Sequence, residues 1–176
     1  VSNTTLQHLS DAVRNIPDYP KPGILFKDVT PLMKDPHLFS EVLDQLVERL
    51  KPYNADYILG VEARGFIFGA ALADRLKIGF IPIRKKGKLP AETYSYSYAL
   101  EYGIDTIEMH KDAIEAHHRV IILDDLLGTG GTASAVAEIV KNIGSKVVAY
   151  GFVIELDFLN GRPLLGDVPV ESLLHY

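Results

Sequence analysis

The chain of 176 residues contains no cysteine, which removes disulfide scaffolds, thiol nucleophiles and thiolate metal sites together and is compatible with a cytosolic setting. Basic charge is also in short supply. The formal net charge of -5 leaves no general basic surface for nucleic acid or an anionic membrane, so any anion must be held by a local cluster. No apolar stretch reaches bilayer-spanning length, and the leading VSNTTLQHL has neither the charged start nor the apolar core of a signal peptide. A soluble, cytoplasmic chain is expected. Neither G-x-x-x-x-G-K-[ST] nor G-x-G-x-x-G after a strand occurs. There is no internal repeat or low-complexity segment, and the six histidines show no metal-ligand spacing, so no protein-held metal site is expected. With 47% hydrophobic residues the length suits one domain, residues 1–176.

What is present alternates between helix and strand patterns. Leu6, Leu9, Val13 and Ile16 recur at helical spacing before Pro17, Pro20 and Pro22 force an extended passage. Asp35 and Pro36 open a second helix that runs through Leu38, Val42, Leu46 and Leu50 and packs on a sheet. Tyr57 to Val61 reads as a buried strand, Gly65 to Leu76 as a helix of small residues, and Phe80 to Ile83 as the next strand. Val120 to Asp124, a helix from Thr132 to Ile143 closed by Gly144, and Val147 to Ile154 continue the series. The order implies an α/β fold with a central parallel sheet flanked by helices. Residues 85–116 break the rhythm. There Tyr94, Tyr96 and Tyr98 alternate with small polar residues, and Gly103 and Asp105 mark a turn before Ile107 and Met109, so a two-stranded excursion is expected. The pattern fits a lid or a solvated hairpin with its tyrosines packed on the domain.

The most informative segment is VIILDDLLGTGGT, Val120 to Thr132. An apolar run buried on both faces ends in a turn at the carboxyl edge of the sheet, where open α/β folds bind ligands. Gly128, Gly130 and Gly131 let the backbone approach a ligand, Thr129 and Thr132 add hydroxyls, and the following helix N-terminus favours an anion. Asp124 and Asp125, one step earlier, repel phosphate but accept hydrogen bonds from sugar hydroxyls. A sugar phosphate fits both halves. The plainer reading is a βα turn whose acids cap the helix or face solvent.

Two further segments carry charge. In GVEARGFIFG, Gly60 to Gly69, Glu62, Ala63 and Arg64 fall between a strand and a helix start; taken alone, Arg64 reads equally as an anion ligand and as a surface ion-pair residue. In RKKGKLP, Arg84, Lys85, Lys86 and Lys88 surround Gly87 directly after a strand, as pyrophosphate would require, although a charge run is as often a solvated face.

The Val120–Thr132 segment resembles the phosphoribosyl-pyrophosphate (PRPP) motif of the type I phosphoribosyltransferases: a hydrophobic strand, two acids, two variable positions, then a small residue and T-G-G-T. E-A-R-G-F, R-K-K-G-K-L-P and L-E-Y-G are in turn similar to stretches of the adenine phosphoribosyltransferases, and the likeness runs from Pro17 to about Arg162. The departures are Glu62 for a frequent aspartate, Gly128 for a frequent alanine and Lys27 for a frequent arginine. The resemblance implies the type I phosphoribosyltransferase fold with a small N-terminal hood, residues 1–33, and a flexible β-hairpin lid, residues 85–116.

It also implies an activity: adenine and PRPP give AMP and pyrophosphate, with Mg²⁺ held mainly through PRPP or pyrophosphate and water. Asp124 and Asp125 would serve the ribose, and Gly128, Thr129, Gly130, Gly131 and Thr132 its 5′-phosphate. Glu62, Ala63 and Arg64 would form the pyrophosphate loop, with a cis bond between Glu62 and Ala63. Arg84, Lys85 and Lys88 would bind the same group, Arg84 and Lys88 reaching into the neighbouring site of a homodimer. Phe26 would stack on the base while main-chain groups of Leu25 and Lys27 read its edge, with Leu156 as a second apolar contact. In the lid, Glu101 would act as general acid or base, beside Tyr102. Two alternatives stay open: another purine base, such as hypoxanthine, guanine or xanthine, and a PRPP-sensing regulator without catalysis. The regulator would usually carry a DNA-binding domain, for which this chain has neither room nor a basic stripe.

Overall fold

The apolar spacing from Leu6 to Ile16 carries only part of the way into structure. In the computed structural model, which describes residues 3–99 and 103–176, helix α1 covers Asn3–Ala12 and Arg14–Ile16 is a strand, β1. Ile16 keeps a helical spacing but pairs with Phe26 in the antiparallel partner β2 (Phe26–Asp28), and long-range pairing overrides the local period. Lys27 extends this pairing through its side chain, donating from Nζ to Asn15 Oδ1 at 2.7 Å. The Tyr19 ring meets Phe26 edge-on, with centroids 5.2 Å apart. Asp28 accepts from the Thr30 amide and hydroxyl at 2.9 and 2.8 Å, which starts the short helix α2 (Thr30–Lys34).

Helix α3 (Pro36–Leu50) has the expected bounds, because Asp35 accepts from the amides of His37 and Leu38 and Pro36 needs no acceptor at the first turn. These two bonds also hold the Asp35 carboxyl below the usual carboxylate range. The chain forms two compact units, Val1–Gln45 and Leu46–Tyr176, and the division falls inside this helix.

The second unit is built on a seven-stranded sheet. Its strands are β3 (Tyr57–Val61), β4 (Gly79–Lys85), β5 (Thr93–Ala99), β6 (Ile104–His110), β7 (Arg119–Leu127), β8 (Lys146–Glu155) and β9 (Val170–His175), in the order β5-β6-β4-β3-β7-β8-β9. The run from β4 to β9 is parallel, and β5 and β6 form an antiparallel hairpin joined to β4 at Arg84 and Lys85. The tyrosine alternation sets its register, with Tyr94 opposite Met109, Tyr96 opposite Ile107 and Tyr98 opposite Asp105. Ile58, Leu59 and Val120 to Leu123 are fully buried, as central parallel strands require.

Helix α4 (Arg64–Leu76) links β3 to β4, and α5 (Gly131–Ile143) links β7 to β8. Alternate residues of the strands serve the two helices. A Cβ on Gly69 of α4 would touch Ile58 and Leu123, whereas Val136, Ile139 and Val140 of α5 share a core with Leu59, Val120 and Ile122. Helix α5 stops at Gly144, whose φ of +88° is the left-handed conformation that a C-terminal glycine supplies. The end of α3 also reaches the sheet, since a Cβ on Gly151 would lie 2.8 Å from Leu50. Among the described residues, no helix is long and apolar enough to cross a membrane.

Candidate active site

Strand β7 does not stop at Asp124 as the sequence suggests. Its ladder with β8 continues through Leu126–Ile154 and Leu127–Glu155, so both acids stand on the strand itself. Asp124 lines a cavity of about 810 Å³ together with Gly128 to Thr132, Leu126, Phe152, Leu164 and Tyr98. Asp125 is buried and accepts from Arg64 Nε, while its own amide donates to Asp124 Oδ1 at 2.8 Å. Burial, and then the neighbouring Asp125 carboxylate, push the Asp124 carboxyl well above the ordinary carboxylate range. Hydroxyls that donate to this pair of carboxyls, or a cation beside it, would relieve the repulsion.

The approach of α4 to these acids depends on Gly65. A Cβ there would lie 2.9 Å from Asp124 Oδ1 and 3.0 Å from the Leu123 carbonyl oxygen, so helix and strand could not meet with a larger residue. Just before it, the Glu62–Ala63 peptide bond is cis, as the resemblance implies.

The loop between β7 and α5 is shaped by its glycines. Gly130 has φ of +85°, and a Cβ on it would meet the Gly161 carbonyl oxygen at 2.7 Å; one on Gly161 would meet the Gly128 carbonyl oxygen at 2.3 Å. The two backbones therefore touch, and Gly161 fixes the course of the loop. Gly131, Thr132 and Ala133, the first turn of α5, line the cavity; the amides of a helix's first turn have no intrahelical acceptor, and the helix dipole adds to their pull on an anion.

Three of the four cations of the turn are paired within the chain. Glu62 accepts from Arg84 Nε at 2.9 Å, from the Lys85 amide at 3.1 Å, and from Lys88 Nζ. Burial pushes the Glu62 carboxyl up, but Lys88, Arg84 and the Lys85 amide outweigh it and leave the group below its usual range. Lys85 Nζ pairs with Asp105, and buried Glu108 accepts the Gly87 amide at 2.9 Å. The free-standing cation cluster expected from sequence is thus a network with three carboxylates. Their partners lie 20 to 26 positions away and leave no local signal.

The cavity thus brings together Asp124 and the Gly128–Thr132 loop, with Arg64 joined to Asp125 beside it and Arg84 and Lys88 joined through Glu62. Leu156 follows the end of β8, half-buried, its amide donating to the Leu127 carbonyl at 3.0 Å. Leu25, Phe26 and Lys27 belong to the N-terminal unit. Glu101 and Tyr102 lie outside the described residues. Tyr98, Asp105 and Gly161 were not singled out as site residues by sequence. The alternation of Tyr94, Tyr96 and Tyr98 was a usable signal for the first, and the facing position in a hairpin for the second.

Among the described residues, Glu155, Asp157 and His175 offer ligand atoms close enough to share a cation. Glu155 and His175 are opposite one another on the parallel neighbours β8 and β9, with Asp157 in the turn that follows β8, which sequence spacing does not reveal. Arg162 already donates to both Glu155 oxygens, at 2.6 and 2.7 Å, and His175 Nδ1 lies 2.9 Å from Asp157 Oδ1. The arginine supplies the positive charge there.

Comparison with known proteins agrees with this geometry. Residues 36–157 match the phosphoribosyl transferase domain model. The adenine phosphoribosyltransferase of Koribacter versatilis is 58% identical over 164 residues, covering 93% of this chain and 90% of that protein. The crystal structure of adenine phosphoribosyltransferase from Thermoanaerobacter pseudethanolicus superposes with a TM-score of 0.94 at 49% identity, covering 97% of this chain and 99% of that one. The yeast adenine phosphoribosyltransferase, crystallised with an imino-altritol bisphosphate and adenine, gives 0.92 at 44% identity and covers 98% of this chain and all of that one (100%). On its Gly128–Thr132 loop, its paired acids and this likeness along nearly its whole length, the chain belongs to the adenine phosphoribosyltransferase family of type I phosphoribosyltransferases.

Proposed function

We propose that this chain joins adenine to PRPP, releasing pyrophosphate and forming AMP. The observation that carries the reading is the cavity in which Asp124 stands directly before the Gly128–Thr132 loop at the start of α5, in a chain so similar to adenine phosphoribosyltransferases. The loop amides and hydroxyls take the 5′-phosphate. Asp124 and Asp125 accept from the ribose hydroxyls and lie near the positive charge that develops on the sugar as the C1′–oxygen bond to pyrophosphate breaks and the C1′–N9 bond forms. The electron pair leaves with pyrophosphate, and the proton of the adenine imidazole edge passes to Glu101. Phe26 stacks on the base, the Leu25 and Lys27 main chain reads its edge, and Leu156 adds an apolar contact.

Arg64, Arg84, Lys85 and Lys88 face the pyrophosphate, so substrate must replace Glu62 and Asp105 as the partner of the last three. Arg84 and Lys88 serve the neighbouring site of a two-fold homodimer in this reading. Mg²⁺ would be held mainly through PRPP or pyrophosphate and water. Asp124, an acidic group on the cavity wall, suits such a cation as neighbour, and the Glu155 cluster is not part of that wall. When bound, the ion offsets charge on the leaving group. The phosphates of PRPP and AMP keep both on one side of a bilayer, and a cytoplasmic location goes with the reading. The test is Asp124→Asn together with Asp125→Asn: turnover should fall by orders of magnitude with the circular dichroism spectrum intact, and near-normal turnover would sink the assignment.

A further inference from the structure

Tyr98 stands on β5, and its phenol oxygen lies 2.9 Å from Thr132 Oγ1 in the first turn of α5. Its ring lies along the phosphate loop, since a Cβ on Gly131 would be in ordinary contact with Tyr98 Cδ2 at 3.6 Å. The same phenol donates to Asp105 Oδ2, its opposite number in the hairpin, at 3.1 Å. Asp105 is itself fixed by Lys85 Nζ and by the Thr106 amide, which donates to its other oxygen at 2.8 Å.

A phenol has one proton to give. With that proton on Asp105, the Thr132 hydroxyl must be the donor in the 2.9 Å contact, so its hydrogen is taken up by Tyr98. An anion in the loop needs this hydrogen. Two rotations supply it: the Thr132 hydrogen turns to the anion, and the Tyr98 hydrogen turns from Asp105 to Thr132 Oγ1. Asp105 keeps the Thr106 amide throughout, and Lys85 as well while ribose 5-phosphate alone fills the loop, so this half-buried acceptor is not left without a partner.

We propose that Tyr98 is a positioning residue for the 5′-phosphate of PRPP: it holds the Thr132 hydroxyl in place and, by donating to it, aims its hydrogen at the phosphate, while Asp105 parks the phenol when the loop is empty. This inference rests on the reading of Gly128–Thr132 as the 5′-phosphate loop. It gives the cationic turn a structural link to that loop through Lys85, Asp105 and Tyr98.

The experiment compares Tyr98→Phe, Thr132→Val and the double variant in full-length protein, with ribose 5-phosphate binding by calorimetry and steady-state kinetics for PRPP and adenine. Tyr98→Phe keeps the ring and removes one hydrogen bond. The dissociation constant of ribose 5-phosphate and the KM for PRPP should each rise roughly 3- to 10-fold, with kcat and the KM for adenine changing less. Thr132→Val should cost more, and the double variant should bind no worse than Thr132→Val alone, because Tyr98 acts through Thr132. Wild-type ribose 5-phosphate binding by Tyr98→Phe, or losses that simply add, would overturn the role of Tyr98. Unchanged binding by Thr132→Val would instead overturn the phosphate-loop reading beneath it.

Discussion

Replacing Gly161 by alanine adds a single methyl group at the point where the connection between β8 and β9, residues 156–169, touches the Gly128–Thr132 loop. Gly161 has φ of −75° and ψ of −24°, a conformation that alanine adopts freely, so the effect is steric and not conformational. The new Cβ would stand 2.3 Å from the Gly128 carbonyl oxygen, 3.1 Å from Thr129 C and 3.2 Å from Gly130 N, all backbone atoms. Close carbon–oxygen contacts in proteins begin near 3.3 Å, so one backbone must yield by about 1 Å. Forced overpacking of this kind costs about 1–3 kcal/mol, which for a chain of this length lowers Tm by roughly 2–12 °C. A shift of that size in a binding loop costs up to about 10²-fold in kcat/KM for PRPP. Gly166→Ala is the control. Its φ of +69° with ψ of −148° is a conformation open almost only to glycine, yet nothing lies within 4 Å of the added Cβ; it should lose about 1–3 kcal/mol of stability and leave the KM for PRPP alone. The assay is thermal unfolding beside PRPP saturation curves for both variants. A Gly161→Ala protein with wild-type Tm and wild-type kcat/KM would refute the claim that this contact sets the loop.

Three other outcomes follow from the geometry. Burial beside Asp125 raises the Asp124 carboxyl in the folded state, so the native chain binds the extra proton and loses stability as pH rises from the unfolded carboxylate value through the raised one. Asp124→Asn should therefore unfold at higher temperature than wild type at pH 8, with the gap closing near pH 4; a lower Tm at pH 8 would contradict the burial argument. Glu101→Gln should cut turnover by roughly 10²–10⁴ with little change in the KM for PRPP, and an unaltered pH–rate profile would remove Glu101 from proton transfer. Mixing an inactive Arg84→Ala protein with an inactive Asp124→Asn protein should recover part of the activity if Arg84 serves the partner's site, whereas a fully active monomer in sedimentation would exclude shared sites.

Sequence reading succeeded where the chemistry is contiguous. Val120 to Thr132 carries a buried strand, acids and loop in one stretch, and Gly144 marks the end of α5 by its own conformational freedom. It ended β7 too early because charged residues look like a strand's end, while the ladder to β8 pays no regard to charge and runs on to Leu127. It placed Ile16 on a helix because the spacing is helical and its partner Phe26 lies across three prolines. Edge strand β9, six residues beside β8, offers too short a pattern to find. The site was legible in outline, but its internal partners were not. Glu62 with Lys88, Tyr98 with Thr132 and Gly161 with Gly128 are contacts made by folding, 26, 34 and 33 positions apart.

Adenine-specific transfer of phosphoribose is read out by the formation of AMP from adenine and PRPP with Mg²⁺. Purified protein should convert adenine with a kcat/KM orders of magnitude above that for hypoxanthine, guanine or xanthine under the same conditions, releasing one pyrophosphate per AMP. Equal or faster use of an oxo-purine, or no nucleotide formed from any base, would rule out adenine phosphoribosyl transfer as the activity of this chain.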